Sequence, residues 1–163
     1  MPEFWLDADI FIESAKKYYA FDIAPAFWKL LEEQAGKRAI SSPIQAYWEV
    51  DQHGTDDLQN WIRQQKGTRL FTSESKAVAE RYSEIADYVM NHSRYTMPNK
   101  LKFVRGADGW LVAHAMQSGG RVITYEVPAP ESTQVKIPDV CNHFKVKYSS
   151  PLDMLRSLGF SLG

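Results

Sequence analysis

Five acidic residues and a threonine sit where their types and spacing could do chemistry. In "FWLDADIFIE" two carboxylates, Asp7 and Asp9, interrupt a run of aromatic and aliphatic residues. "SSPIQAYWEV" carries Glu49, "ADGWLVAHAM" carries Asp108, and "RVITYE" ends on Thr124 and Glu126. If such carboxylates converge, each pair at ~4 Å repels by roughly 4 kcal/mol at an effective dielectric near 20. That is a large share of the roughly 5–15 kcal/mol that holds a domain together. A converging set must therefore take up protons or bind cations. Oxygen ligands without histidine or cysteine suit the hard ions Mg²⁺ or Mn²⁺, and the chemistry these favour is hydrolysis of a phosphodiester.

Short apolar runs alternate with helix-length segments, the pattern of a parallel sheet with crossover helices. "FWL" is the first strand, so Asp7 falls at a strand's carboxyl end, where open α/β sheets bind ligands. Asp9 to Tyr19 then reads as a helix, with Asp9 either its cap or, in extended chain, on the same face as Asp7. A second helix covers "DIAPAFWKLLEEQAGK", and "RAIS" is a strand. Ser42 is placed to cap a helix starting at Pro43, on which Ile44, Tyr47 and Trp48 form the bulky stripe. Glu49 lies well round from that stripe, so periodicity alone makes it a solvated residue. Thr55 opens "DDLQNWIRQQK" and Gly67 stops it, while "ESKAVAERYSEIADYVMNH" is helical throughout. "TMPNKLKFVRG" reads as a break before the helix "ADGWLVAHAMQSGG". There Leu111, Val112 and Ala115 follow Asp108 at helical spacing, which aligns this acid with the buried stripe, although an N-terminal cap role explains it equally. On "RVITYE", read as a strand, Val122, Thr124 and Glu126 share one face. The tail gives a short helix, a short strand and a last helix ending at Gly159.

The chain has 163 residues, 44% of them hydrophobic, and a net charge of −1. One globular domain over residues 1–163 follows from that length. Near-neutral charge leaves nucleic-acid contact to a local patch. Lys100, Lys102 and Arg105 crowd the stretch before Asp108, and Lys16 with Lys17 can extend that strip. Phe103 and the Tyr18–Tyr19 pair are candidate stacking platforms, against a core-packing reading that the aromatic content favours. A lone Cys141 forms no internal disulfide, the four histidines show no zinc spacing, and the acidic start and short apolar runs predict a cytoplasmic protein with no membrane span.

Taken in order, "FWLDADIFI", "SSPIQAYWEV", "ADGWLVAHAM" and "RVITYE" resemble the four acidic motifs of the PIN-domain nucleases, the superfamily of the VapC toxins. "KKYYAFDIAPAFW" and "VKIPDVC" are similar to a PIN-like subfamily long left without an assigned function. The resemblance spans the whole chain. It implies a three-layer α/β/α sandwich around a mainly parallel sheet and a Mg²⁺- or Mn²⁺-dependent ribonuclease. It further implies a bacterial toxin paired with an antitoxin, commonly a homodimer. Asp7, Asp9, Glu49, Asp108 and Glu126 would then hold metal, with Thr124 in the closing threonine-x-acid element. Asp9 stands where the family usually has asparagine, and Glu126 where aspartate is commoner. "DADIF" also resembles the D-x-D motif of phosphoaspartate-forming phosphatases, with Asp7 as nucleophile and Asp9 as acid/base. A PIN-like module that binds RNA or protein without cleaving is the non-enzymatic alternative.

Overall fold

The structure, a computed structural model, describes residues 1–162. Its centre is a five-stranded, all-parallel sheet in the order β3-β2-β1-β4-β5. The strands are β1 (Phe4–Leu6), β2 (Ile40–Pro43), β3 (Phe71–Thr72), β4 (Arg121–Ile123) and β5 (Lys147–Ser149). The helices between them are α1 (Ala8–Glu13), α2 (Pro25–Gly36), α3 (Ile44–His53), α4 (Asp56–Gln65), α5 (Lys76–Met90), α6 (Met97–Arg105), α7 (Asp108–Ser118), α8 (Ile137–Phe144) and α9 (Pro151–Ser157).

Side chains alternate across the short strands, so the sheet buries both faces, as parallel sheets do. Phe4, Leu6, Ile40 and Ile123 pack with Phe11, Phe27, Leu31, Val50, Ile62 and Met154 on one side. Trp5 and Val122 pack with Val78, Ile85, Leu111, Val112 and Val140 on the other. The result is a three-layer α/β/α sandwich. Trp5 Nε1 donates to Ser118 Oγ at 2.9 Å, which fixes the end of α7 against β1. Gly119 then ends that helix at φ 73°, a backbone region that costs glycine little. Among the described residues no helix is long and apolar enough to cross a membrane.

Several local expectations change in the folded chain. "TMPNKLKFVR" is a helix rather than a break: Pro98 sits in its first turn, where a missing N–H costs nothing. Ser42 does not cap α3. It belongs to β2, its hydroxyl donates to Leu6 O at 2.6 Å, and Pro43 takes the cap position instead. The helix expected from Asp9 to Tyr19 is α only as far as Glu13; Ser14–Tyr18 continues as a π-helical turn, with Tyr19 N–H on Ser14 O at 2.7 Å. The strand "RVITYE" stops at Ile123, and its last three residues form a turn.

Candidate metal centre

Strand order fixes where the chain can build a site. From β1 the sheet runs outward through β2 to β3 on one side and through β4 to β5 on the other. The carboxyl ends of β1 and β4 therefore flank the point where the winding reverses, the crevice in which such sheets bind ligands. Asp7 follows β1 and Thr124 follows β4.

Asp7 is buried and is itself the N-cap of α1, so the cap role that the sequence offered to Asp9 falls to Asp7. Its Oδ1 accepts from the Asp9 N–H at 3.4 Å, and its Oδ2 accepts from the Thr124 hydroxyl at 2.8 Å. Thr124 Oγ1 in turn accepts from the Glu126 N–H at 3.1 Å. One hydroxyl thus orients the first acid and folds the turn that delivers another. Glu126 reaches the cluster through that turn, not through the period-two strand face expected for it. Its Oε1 accepts from Ile137 N–H at 2.9 Å, at the start of α8, where unpaired amides and the helix dipole favour a carboxylate. Carboxylate oxygens of Asp7, Asp9 and Glu126 lie within 4.8 Å of one another.

Asp108 opens α7 half-buried and adds its field to this trio. Glu49 is half-buried rather than solvated: its Oε1 accepts from Ala107 N–H at 2.8 Å, capping the start of α7. Gly106 makes room for that contact, since a Cβ there would stand 2.8 Å from Glu49 Oε1.

The electrostatics follow from this crowding. Burial first, then the charges of Asp9 and Glu126, push the Asp7 carboxyl from its ordinary 3.8 up to about 8, against the two hydrogen bonds that favour its ionised form. Asp108 is raised well above its ordinary value by burial and then by Asp7, Glu126, Glu49 and Asp9. Glu126 is raised by loss of solvent, opposed by the Ile137 N–H and Lys136. Asp9 is raised by loss of solvent and Glu13, opposed by Lys102. The donor set is all oxygen. His114, whose imidazole burial lowers to about 4, stacks instead on Trp5 with ring centroids 4.5 Å apart. A cluster of this composition fits a hard divalent cation better than zinc or a proton relay.

A cleft of about 100 Å³ opens beside Asp108 and Glu126, and Lys102 and Lys136 stand on its walls. A larger hollow of about 460 Å³, bounded by Arg81, Gly119 and Lys145, has no carboxylate in its lining. Of the basic residues expected to meet a substrate, Lys102 faces the acids, while Arg105 and Lys16 are exposed. Lys100 Nζ donates to Met90 O at 2.8 Å, tying α6 to the last turn of α5, and Lys100 is not among the residues that line the cleft. Lys136 carried no sequence signal, because it reaches the cleft only through the loop before α8. Phe103 and Tyr19 belong to the packed interior, whereas Tyr18 is exposed.

No curated protein matches the chain. The model of a family described as "Domain of unknown function (DUF4411)" matches residues 4–162, and the chain belongs to that family.

Proposed function

We propose that the protein is a Mg²⁺- or Mn²⁺-dependent endoribonuclease of PIN-like type, acting in the cytoplasm as the toxin of a toxin–antitoxin pair. The observation that carries this reading is the convergence of Asp7, Asp9 and Glu126 at the sheet's reversal point, with Asp108 beside them. Asp7, Asp9, Asp108 and Glu126 would hold the cation. When bound, a divalent ion there supplies Lewis-acid polarisation of a phosphate and a low-pKa water.

The chain's own groups have separable roles. Thr124 fixes the Asp7 carboxylate and Ile137 N–H fixes that of Glu126, so two ligands are oriented before a cation arrives. Glu49 holds the first turn of α7 and with it the origin of Asp108. Lys102 and Lys136, on the cleft walls, suit the non-bridging oxygens of an RNA backbone. The D-x-D phosphatase reading is less favoured, because the neighbours of Asp7 and Asp9 are further carboxylates, Glu126 and Asp108, whose charges repel a phosphate unless a cation neutralises them.

The test is a purified protein incubated with a mixed single-stranded RNA and either Mn²⁺ or Mg²⁺, beside Asp7→Asn and Asp108→Asn. Calorimetric titration of Mn²⁺ is run on the same samples. Cleavage and cation uptake should both be lost in each variant and on chelation. Cleavage that persists in chelator, or in both variants, refutes the mechanism. For the toxin role, induced wild type should arrest growth and Asp7→Asn should not; equal arrest by both would point to a binding module.

A further inference from the structure

Beside the acids stands an aromatic pair that none of these roles uses. Tyr125, between Thr124 and Glu126, stacks on Tyr18 with ring centroids 5.1 Å apart and planes 28° from parallel. Its phenol Oη shares a hydrogen bond with Ser14 Oγ at 3.1 Å. Ser14 is wholly buried, and it opens the π-helical turn that ends at Tyr18. The wide turn therefore brings two of its residues onto one tyrosine, hydroxyl to hydroxyl and ring to ring. π-Helical turns are rare and are found disproportionately at functional sites. Tyr125 is held from both directions, since the backbone on either side of it is fixed by the Thr124 hydroxyl bridge.

Tyr18, in contrast, is 56% exposed, and among the described residues Tyr125 is the one ring that stacks on it. An exposed tyrosine backed by a fixed aromatic offers a flat surface that gives up little conformational freedom on binding. Next to it in the same turn, Lys17 is paired with Glu13 at 3.0 Å, while Lys16 is exposed. Aromatic face and free ammonium thus lie on one turn of the chain, and Tyr125 joins that turn to the loop that carries Thr124 and Glu126.

From this we infer that Tyr18, backed by Tyr125, is the stacking platform for an unpaired nucleobase of the RNA substrate. The inference rests on the ribonuclease reading and gives that site its substrate class, single-stranded or looped RNA. Tyr125 immediately precedes Glu126 in the chain, so the platform is tied through one short loop to the acids, and a base on it belongs to the strand that supplies the phosphate rather than necessarily to the scissile nucleotide. A duplex keeps its bases inside its own stack and cannot use such a surface. Any base presents a face to it, so the platform selects strandedness and not sequence.

The experiment compares Tyr18→Ala, Tyr18→Phe and Tyr18→Trp in an Asp7→Asn background, with circular dichroism to verify folding. Anisotropy reports binding of a fluorescein-labelled single-stranded RNA oligonucleotide, an abasic strand of equal length and a duplex. Tyr18→Ala should bind the single strand about tenfold more weakly, whereas the phenylalanine and tryptophan variants should bind it like the parent. The abasic strand and the duplex should show no difference between parent and Tyr18→Ala, and emission of the tryptophan variant should be quenched by the base-bearing strand alone. Equal affinity of Tyr18→Ala and parent for the single strand, or an equal loss on the abasic strand, overturns the platform. Cleavage by wild type in Mn²⁺ is scored separately. Its absence counts against the ribonuclease reading, while the base-dependent loss in binding still decides the platform.

Discussion

In the metal-free protein, Asp7→Asn should raise stability at alkaline pH, even though it removes the residue at the heart of the proposed site. The Asp7 carboxyl rises from 3.8 to about 8 in the fold. Below pH ~4 the group is protonated folded and unfolded alike, and it costs nothing. As pH rises, the unfolded chain ionises first and the native state must bind the proton or bear the charge. Stability therefore falls progressively from about pH 4 to about pH 8. At about 1.4 kcal/mol for each tenfold change in proton affinity, the full loss is on the order of 5 kcal/mol by pH 8. Asparagine keeps the shape and one of the two hydrogen bonds, losing the weaker one, that from the Asp9 N–H at 3.4 Å, while removing the buried charge. Urea unfolding followed by tryptophan emission in chelator checks this. At a slope of about 2 kcal/mol per molar urea, the midpoint of Asp7→Asn should exceed that of wild type by about 2.5 M at pH 8, and by under about 1 M at pH 5. Mn²⁺ at one hundred times its dissociation constant should narrow the gap by about half, by stabilising wild type alone by about 2.7 kcal/mol. Parallel pH profiles for the two proteins in chelator would refute the reasoning, because the buried charge would then not be what destabilises the native state.

Glu49→Ala should lose about 1–2 kcal/mol of stability along with cation affinity, since it strips the Ala107 cap. Glu49→Gln, which still offers a carbonyl oxygen, should keep most of both, and a loss of cation affinity equal to that of alanine would instead make Glu49 a direct ligand. Gly106→Ala should reproduce the Glu49→Ala phenotype by displacing Oε1, as read by the same titration and melt. His114 is held neutral by burial, its imidazole lowered to about 4, so its own contribution to stability falls as pH drops from about 6.5 toward 4, opposing the gain that Asp7 gives over the same range. His114→Phe preserves the stack on Trp5 and, by removing that opposition, should make stability rise more steeply from about pH 6.5 to about pH 4 in urea titrations. Lys100→Met should cost about 1 kcal/mol in thermal or urea unfolding and leave the salt dependence of RNA binding unchanged, whereas Lys102→Ala should make that dependence shallower.

Where side-chain pattern alone decides, the sequence was readable. "FWL" before Asp7 is a buried strand because all three residues are bulky and apolar, and the parallel α/β layering follows from the alternation of strand and helix lengths. Where one hydroxyl or one proline decides, it was not. The period-two reading of "RVITYE" aims Glu126 along a strand, yet Thr124 forms two hydrogen bonds with its hydroxyl and ends the ladder there. Pro98 looked like a break because its place in a first turn depends on where the helix begins, and Thr96 marks that start without a side-chain cap bond. β3, two residues long, is too short for any period to register, and only its pairing with β2 makes it a strand. Glu49 escaped periodicity because its partner, Ala107, is 58 residues away.

The long-range partners share a physical logic that makes the acid cluster tolerable. Glu49 and Glu126 each place one oxygen on an N–H at a helix start, α7 for one and α8 for the other, and Asp7 caps α1 itself. Each start carries unpaired amide donors and about half a positive charge, which offsets part of the mutual repulsion without satisfying it. Asp7 remains raised to about 8 despite that help. A cluster fully neutralised by its own fold would have less to gain from a cation, and one without the helix-start donors would carry more unrelieved repulsion. The helix starts hold the carboxylates at an intermediate level, in place but short of positive charge, so a divalent ion, if it is the ligand proposed above, would stabilise the fold as it bound.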